Sequence, residues 1–521
     1  MNRSVISFIL FIIISQAVAQ VSTYEKTITA SDLSRHLHIL ASDSLEGRET
    51  GMPGQKKAAE YIKNQFQQLG LQPPVTTADG QKSYFQKFTL VKRSWGDVYL
   101  KVGKEKKVFL KDFYAYGDIK VPKETKVPVV FGGYGINSPL YSDYKNQDIK
   151  GKAVVIFMGE PVKDGKSLVT GTAQASDWGN DWRKKASEAR KLGAQEVLIV
   201  VGNNLTDYES RLNQLKSHIA QPYLSFSHKL RGGSALFIST QLAAELLKTT
   251  EENLLAQKEE IAQKGNNYKA PFKPAKITYK ADVVESIVET ENVLGLIEGT
   301  DKKDEVIVIT AHYDHLGVED GKIHYGADDD GSGTAALLEI AEAFMLAKQN
   351  DQGPRRSILI MAVTAEEKGL MGSEYYTDQP VFPLNKTIAN LNVDMIGRVD
   401  EEHADDDHYV YIIGSDRLSS DLHTINEEAN KNGVQLTLDY RFNRFDDPNR
   451  FYYRSDHYNF AKNNIPVIFY FSGVHEDYHK PTDTVDKILF DKAARITRLI
   501  FATAWELANR EETIKVDGGK N

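Results

Sequence analysis

VIVITAHYDHLG, residues 306–317, passes from an unbroken run of mostly β-branched residues straight into His312, Asp314 and His315. A short, continuous run of this kind reads as a strand buried on both faces, which requires a sheet covered by helices. The same succession recurs downstream. SILIMAV (357–363) is followed by TAEEKG, IANLNV (388–393) by Asp394, and IPVIFYF (465–471) by SGVHEDYHKPTD. YVYIIG (409–414) supplies a further strand, and helical stretches such as TAALLEIAEAFMLAK lie between the runs. The expected fold is therefore α/β, with a mixed, mostly parallel central sheet covered by helices. In such sheets ligands bind beyond the carboxyl ends of the strands, which is where these polar clusters fall.

GADDDGSG (326–333) lies between the first strand and a helix expected to begin near Thr334. Three adjacent aspartates repel one another and resist desolvation. A dication among them removes the conflict, because it becomes the largest local charge. One aspartate could bridge two metals, and the glycines would let the backbone turn tightly beside them. A lone Asp or His in any one cluster is better read as part of a solvated loop or a helix cap; the convergence of five clusters on one edge of a sheet points to a site.

Composition narrows the chemistry. The 521 residues include no cysteine, so a transition-metal site must use His, Asp and Glu, which favours a catalytic zinc-type centre over a structural one. Net charge is -8 with both signs mixed along the chain, so the basic footprint of a nucleic-acid binder is missing. Residues 1–20 carry Arg3, the apolar run VISFILFIIIS and the small-residue site Ala17-Val18-Ala19, which together read as a cleaved export signal. The apolar run is shorter than the ~20 residues of a spanning helix. A periplasmic or extracellular protein, with no stable membrane insertion after cleavage, is expected.

The length suggests two or three domains. QKKAAEYIKNQFQQLG (55–70) places Ala58, Ala59, Ile62, Phe66 and Leu69 on one helical face and ends on Gly70. From about residue 116 the texture changes to short strand-like pieces, and RKKASEARKLGAQEVLIVVG (183–202) reads as a helix followed by a buried strand. A polar stretch at 265–281 reads as a linker. The expected division is a discontinuous domain, 21–115 with 282–515, and a smaller, β-rich α+β insertion over 116–281.

His312-Tyr313-Asp314, GADDDGSG, Ala365-Glu366-Glu367, Asn392-Val393-Asp394 and Tyr478-His479-Lys480-Pro481-Thr482-Asp483 together resemble the co-catalytic dizinc aminopeptidases, relatives of glutamate carboxypeptidase and the transferrin-receptor ectodomain. HLHILASDSLEGRETGMPGQKKAAEYI (36–62) looks like that family's N-terminal helix region, and DIKGKAVVIF (148–157) resembles a protease-associated domain. The resemblance implies two Zn2+ per chain. Asp329 would bridge them, His312 and Asp394 would complete one, and Glu367 and His479 the other, with Asp328 and Asp330 as neighbours. It implies Glu366 as general base, taking a proton from the attacking water and returning it to the leaving amine. Adjacent residues point in different directions, so Glu367 can hold metal while Glu366 faces the water. Asp314 suits the carboxylate that orients a ligand histidine. Tyr478 could place its hydroxyl on the oxygen of the tetrahedral intermediate.

HEDYH (475–479) also matches the H-E-x-x-H pattern of single-zinc proteases, which needs a helix; Gly473 and Pro481 bracket it too closely. DEEHADDDH (400–408) lacks the spacing of a calcium loop. FYYRSDHYNF (451–460) could line a pocket or pack in the core, and Asp456 and His457 carry no assigned role. The expected activity is removal of N-terminal residues from peptide substrates. A glutaminyl-cyclase-like single-zinc transferase, carboxypeptidase specificity set by arginines such as Arg441, Arg444, Arg450 or Arg454, and a non-catalytic receptor-type ectodomain are the rival readings.

Overall fold

The computed structural model describes residues 21–518 apart from 118, 146, 229–233 and 274. The expected export signal, residues 1–20, lies outside the described residues. The chain divides into two compact units, Met1–Phe88 with Glu289–Asn521, and Thr89–Val288.

In the first unit, helices α1 (Ala30–Leu40) and α2 (Pro53–Leu69) precede the sheet. Thr29 caps α1 by accepting from the N–H of Asp32, and Gly70 ends α2 in the left-handed region (φ 87°) that a side chain would strain. The sheet and its helices follow as β1 (Ala275–Ile297, of which residues 289–297 belong here), β2 (Lys302–His312), α3 (Gly333–Gln349), β3 (Arg356–Val363), α4 (Met371–Asp378), β4 (Thr387–Val393), β5 (Tyr409–Ile413), α5 (Ser420–Asn432), β6 (Thr437–Asp439), β7 (Val467–Phe471) and α6 (Phe490–Asn509). Strand order is β6-β5-β7-β4-β2-β3-β1. The central four, β7-β4-β2-β3, run parallel, whereas β1 lies antiparallel to β3 and β5 antiparallel to β7.

Every residue of β3 is buried, as its unbroken apolar run requires. Successive side chains alternate between two cores. Ile307 and Ile309 join Leu338, Phe344 and Phe501 on the face covered by α1, α2, α3 and α6, while Val306 and Val308 join Met361, Tyr376 and Phe460 on the other. Each such side chain contributes roughly 1.5–3 kcal/mol relative to exposure. Register then aligns the strand ends: His312 stands opposite Val363, and Thr310 opposite Asn392.

The second unit has its own parallel core. Val121–Phe131, Ala153–Phe157, Glu196–Val200 and Ala235–Ile238 pair in that order and in parallel, and Phe113–Tyr116 adds an antiparallel edge. Helix Trp182–Lys191 and strand Glu196–Val200 realise the unit expected at 183–202. The compact unit begins at Thr89 rather than 116, because strand Phe85–Val102 pairs with Glu105–Val108 and Tyr223–Ser225 inside it. The linker expected at 265–281 is a correction: from Ala275 onward it is strand, with Ala275, Ile277, Tyr279 and Ala281 buried in alternation and paired with Val121–Phe131. Its lysines occupy the outward positions, which disguised the pattern.

Candidate metal centre

The carboxyl ends of the four parallel strands deliver the site. His312 is the last residue of β2, Asp394 follows the last residue of β4, Glu366 and Glu367 follow β3, and His479 lies in the loop after β7. Between β2 and α3, GADDDGSG folds back over them. Three non-glycine residues here, Ala365, Met395 and His479, have φ of 56°, 57° and 58°. Backbone in that region costs on the order of 1 kcal/mol apiece, and such strain concentrates at functional sites.

Of the three aspartates, Asp329 faces the imidazoles. His312 Nε2 lies 3.1 Å from its Oδ1, and His479 Nε2 lies 3.1 Å from its Oδ2. Around the first oxygen stand His312 and Asp394, with His312 Nε2 3.6 Å from Asp394 Oδ1; around the second stand His479 and Glu367, 3.2 Å apart. Asp328 and Asp330 turn away and hold backbone instead. Asp330 accepts the N–H groups of His312 (3.1 Å), Gly333 (2.9 Å) and Met395 (3.1 Å), and Asp328 accepts that of Gly397 (2.6 Å).

Supporting groups fix the orientation of these side chains. His312 Nδ1 donates to the carbonyl of Asp314 (3.0 Å), which leaves Nε2 for the centre. The Asp314 carboxylate, expected to orient that histidine, stands 3.9 Å from Nδ1 and accepts instead from the N–H of Glu366 (3.2 Å) and the hydroxyl of Thr50 (2.7 Å). Ser455 donates to Asp394 Oδ2 (2.6 Å) and accepts from Asn392 (2.8 Å), whose carbonyl accepts from Thr310 (2.6 Å). Arg48, wholly buried, donates to the carbonyls of Leu40, Tyr313, Tyr325 and Gly326, tying the loop after β2 to the start of GADDDGSG.

Burial works against ionisation of Asp329, but the opposed imidazoles of His312 and His479 overcome it and hold its carboxyl well below the usual range. Burial pushes the Glu366 carboxyl up, with Glu367 and Asp394 adding to the rise against the pull of His312. Burial disfavours a charged His479, yet the carboxylates of Asp329 and Glu367 raise it to about 10.

The donor set fits a cation. Four buried atoms, His315 Nδ1, Asp329 Oδ2, Glu367 Oε1 and His479 Nε2, have no hydrogen-bond partner. An unpaired buried polar group costs about 1–3 kcal/mol, and such atoms gathered beside one another are what a metal position requires. Two groups of donors meet the spacing, His312, Asp329 and Asp394, and His315, Asp329 and Glu367. The centre opens into a cleft also lined by Met395, Phe451, Arg454, Phe469 and Tyr478. Arg454 donates to the Tyr478 hydroxyl at 3.4 Å, and the Tyr478 ring stacks on that of His479.

Residues 292–504 match the family model described as Peptidase family M28. The match covers 213 of the 521 residues. The M28 segment contains every donor from His312 to His479, whereas Arg48 and Thr50 lie outside it. A probable zinc metalloprotease of Pyrenophora tritici-repentis is 27% identical over 264 residues, covering 42% of this chain and 52% of that protein. Aminopeptidase YwaD of Bacillus subtilis is 25% identical over 240 residues, 43% of this chain and 46% of that protein. The chain spans about half the length of these curated relatives. Among solved structures, an aminopeptidase from Aneurinibacillus sp. strain AM-1 aligns over 96% of this chain and 98% of its own, with a TM-score of 0.52 at 19% identity, a likeness of fold.

The other sequence patterns resolve differently. HEDYH forms turns, not a helix. The backbone N–H of Asp477 donates to His475 Nδ1, so Nε2 carries the proton and stands 3.4 Å from Asp328 Oδ2. Asp456 and His457 are buried, the first accepting from Ser373 and the second stacked on Phe469. Sequence reasoning missed Arg48, Asp483 and His315. His315 sits within the opening motif, and its signal was a second histidine three residues after His312.

Proposed function

We propose that this chain is a zinc-dependent exopeptidase that removes N-terminal residues from peptides, with two zinc ions held side by side by Asp329. The observation carrying this reading is the placement of Asp329, one oxygen toward His312 and Asp394 and the other toward Glu367 and His479. The zinc metalloprotease and aminopeptidase names of its relatives support the same class. When bound, the zinc ions would supply Lewis acidity and make water a nucleophile at neutral pH.

The chain's own residues supply the rest. Glu366, on the cleft side of Glu367 and anchored through its N–H by Asp314, takes the proton of the attacking water and delivers it to the leaving amine. Tyr478, at the rim of the cleft, offers its hydroxyl to the oxygen that gains charge. Phe451, Phe469 and Met395 give the cleft apolar walls for a side chain.

Residues 1–20 support export, and no helix among the described residues is long and apolar enough to cross a membrane. The second unit is read as a protease-associated insertion on the strength of DIKGKAVVIF. Incubating the purified chain with a peptide library, with and without chelator, tests the activity by mass spectrometry. Ladders shortened from the N-terminus and abolished by chelator uphold it. Shortening from the C-terminus would assign Arg454 to a substrate carboxylate instead, and pyroglutamate with one zinc would assign the cyclase reading.

A further inference from the structure

We infer that His315 is a third imidazole of the metal centre, giving the position held by Asp329, Glu367 and His479 a fourth protein donor. The inference rests on the two-metal reading above and concerns a residue that reading leaves without a role.

His315 has no exposure, and neither ring nitrogen has a hydrogen-bond partner. Buried polar groups are ordinarily partnered; His457 also lacks partners but is stacked on Phe469, whereas His315 stands against two carboxylates. Its Nδ1 lies 2.8 Å from Glu367 Oε1 and 3.9 Å from Asp329 Oδ2. His315, Asp329 and Glu367 offer ligand atoms that all lie within 4.8 Å of one another, the spacing a metal ion requires. The His315 and His479 rings stand 5.9 Å apart at 70°.

The backbone makes room for this ring. A Cβ on Gly326 would fall 2.5 Å from His315 Cγ, so the first glycine of GADDDGSG leaves the space that the imidazole fills. The N–H of His315 donates to the carbonyl of Arg48 (3.3 Å), fixing the loop that presents it.

The consequence is asymmetry. His312, Asp329 and Asp394 offer three protein donors and leave an open position, the pattern of a catalytic zinc; four donors make the second position closed and tighter. The test uses the full-length chain, stripped of metal and titrated with zinc against a chromophoric chelator, together with zinc X-ray absorption of the loaded protein. The wild type should take up two zinc ions of unequal affinity, with three imidazoles shared between them. His315→Ala should weaken the tighter class by more than about 100-fold, beyond what losing a supporting partner costs, leave the other unchanged and show two imidazoles. A wild type with two zinc ions and two imidazoles overturns the inference without any variant having to fold. If the wild type takes up a single zinc, the two-metal reading falls; His315 stands if its replacement weakens that uptake, and falls with it if not.

Discussion

The carboxylate of Asp483 accepts the backbone N–H groups of both Asp328 (3.0 Å) and Asp329 (3.2 Å), so Asp329 is held through its backbone by another aspartate 154 residues away. Asp483→Ala leaves two buried donors unpaired and frees the loop. The expected outcome is a 10- to 100-fold loss of zinc affinity, roughly the effect of removing a supporting group, read by chelator competition with the fold intact by circular dichroism.

Glu366 makes its contact with the frame through its backbone, so its carboxylate can be altered without disturbing the donors. Glu366→Gln should lower kcat by about 100- to 10,000-fold and leave zinc stoichiometry at the wild-type value. Loss of zinc along with activity would make Glu366 a ligand rather than a base.

His475 distinguishes the two ways of reading HEDYH. Its proton faces Asp328, which holds the N–H of Gly397. His475→Ala should therefore remove the imidazole that faces the buried Asp328 carboxylate and lower the urea midpoint, while kcat stays within about twofold under native conditions. A collapse of kcat with stability unchanged would revive the single-zinc reading.

Arg48 donates to four carbonyls and has no carboxylate partner within bonding distance among its described contacts. Burial depresses its ionisation while Asp314, Asp483, Asp329 and Asp330 sustain it. Arg48→Met should destabilise by more than about 3 kcal/mol, since several buried acceptors lose their donor together. Arg48→Lys should recover only part of that, because an ammonium cannot reproduce the planar fork. Thermal unfolding of the two variants decides the order.

In the second unit, Lys185 is buried with its ammonium on the carbonyls of Tyr134 and Gly159, both at 2.6 Å, and burial lowers its pKa to about 8. The unfolded chain then binds more protons than the folded one between about pH 8 and the ordinary lysine value of 10.5. Stability should rise with pH across that window, and Lys185→Met should flatten the rise. Urea midpoints measured from pH 7.5 to 10 check both, using conditions of about one pH unit per step.

The strands and donors were legible because a parallel strand writes its burial locally: Val306 to Thr310 and Ser357 to Val363 are unbroken apolar runs, and the residues just past them must face the ligand side. Arg48, Thr50 and Asp483 were not legible as site residues, since their partners around the centre lie 154 to 278 residues away and no local periodicity encodes a clamp. The stretch from Ala275 was misread for the opposite reason. Its pattern is local, but alternating lysines on the open face look like a linker until the pairing with Val121–Phe131 is seen.

The guanidinium of Arg48 has a practical corollary for anyone shortening this protein. A fragment trimmed to the recognisable segment at 292–504 would keep every metal donor and still lack the latch that fastens the Tyr313 and Gly326 loops, as well as the Thr50 hydroxyl on Asp314. The smallest working piece therefore has to be assembled from both ends of the gene product, with the helices around residues 30–69 supplied alongside the sheet, and a nick in the 41–52 turn should silence the enzyme as effectively as a change at the centre itself.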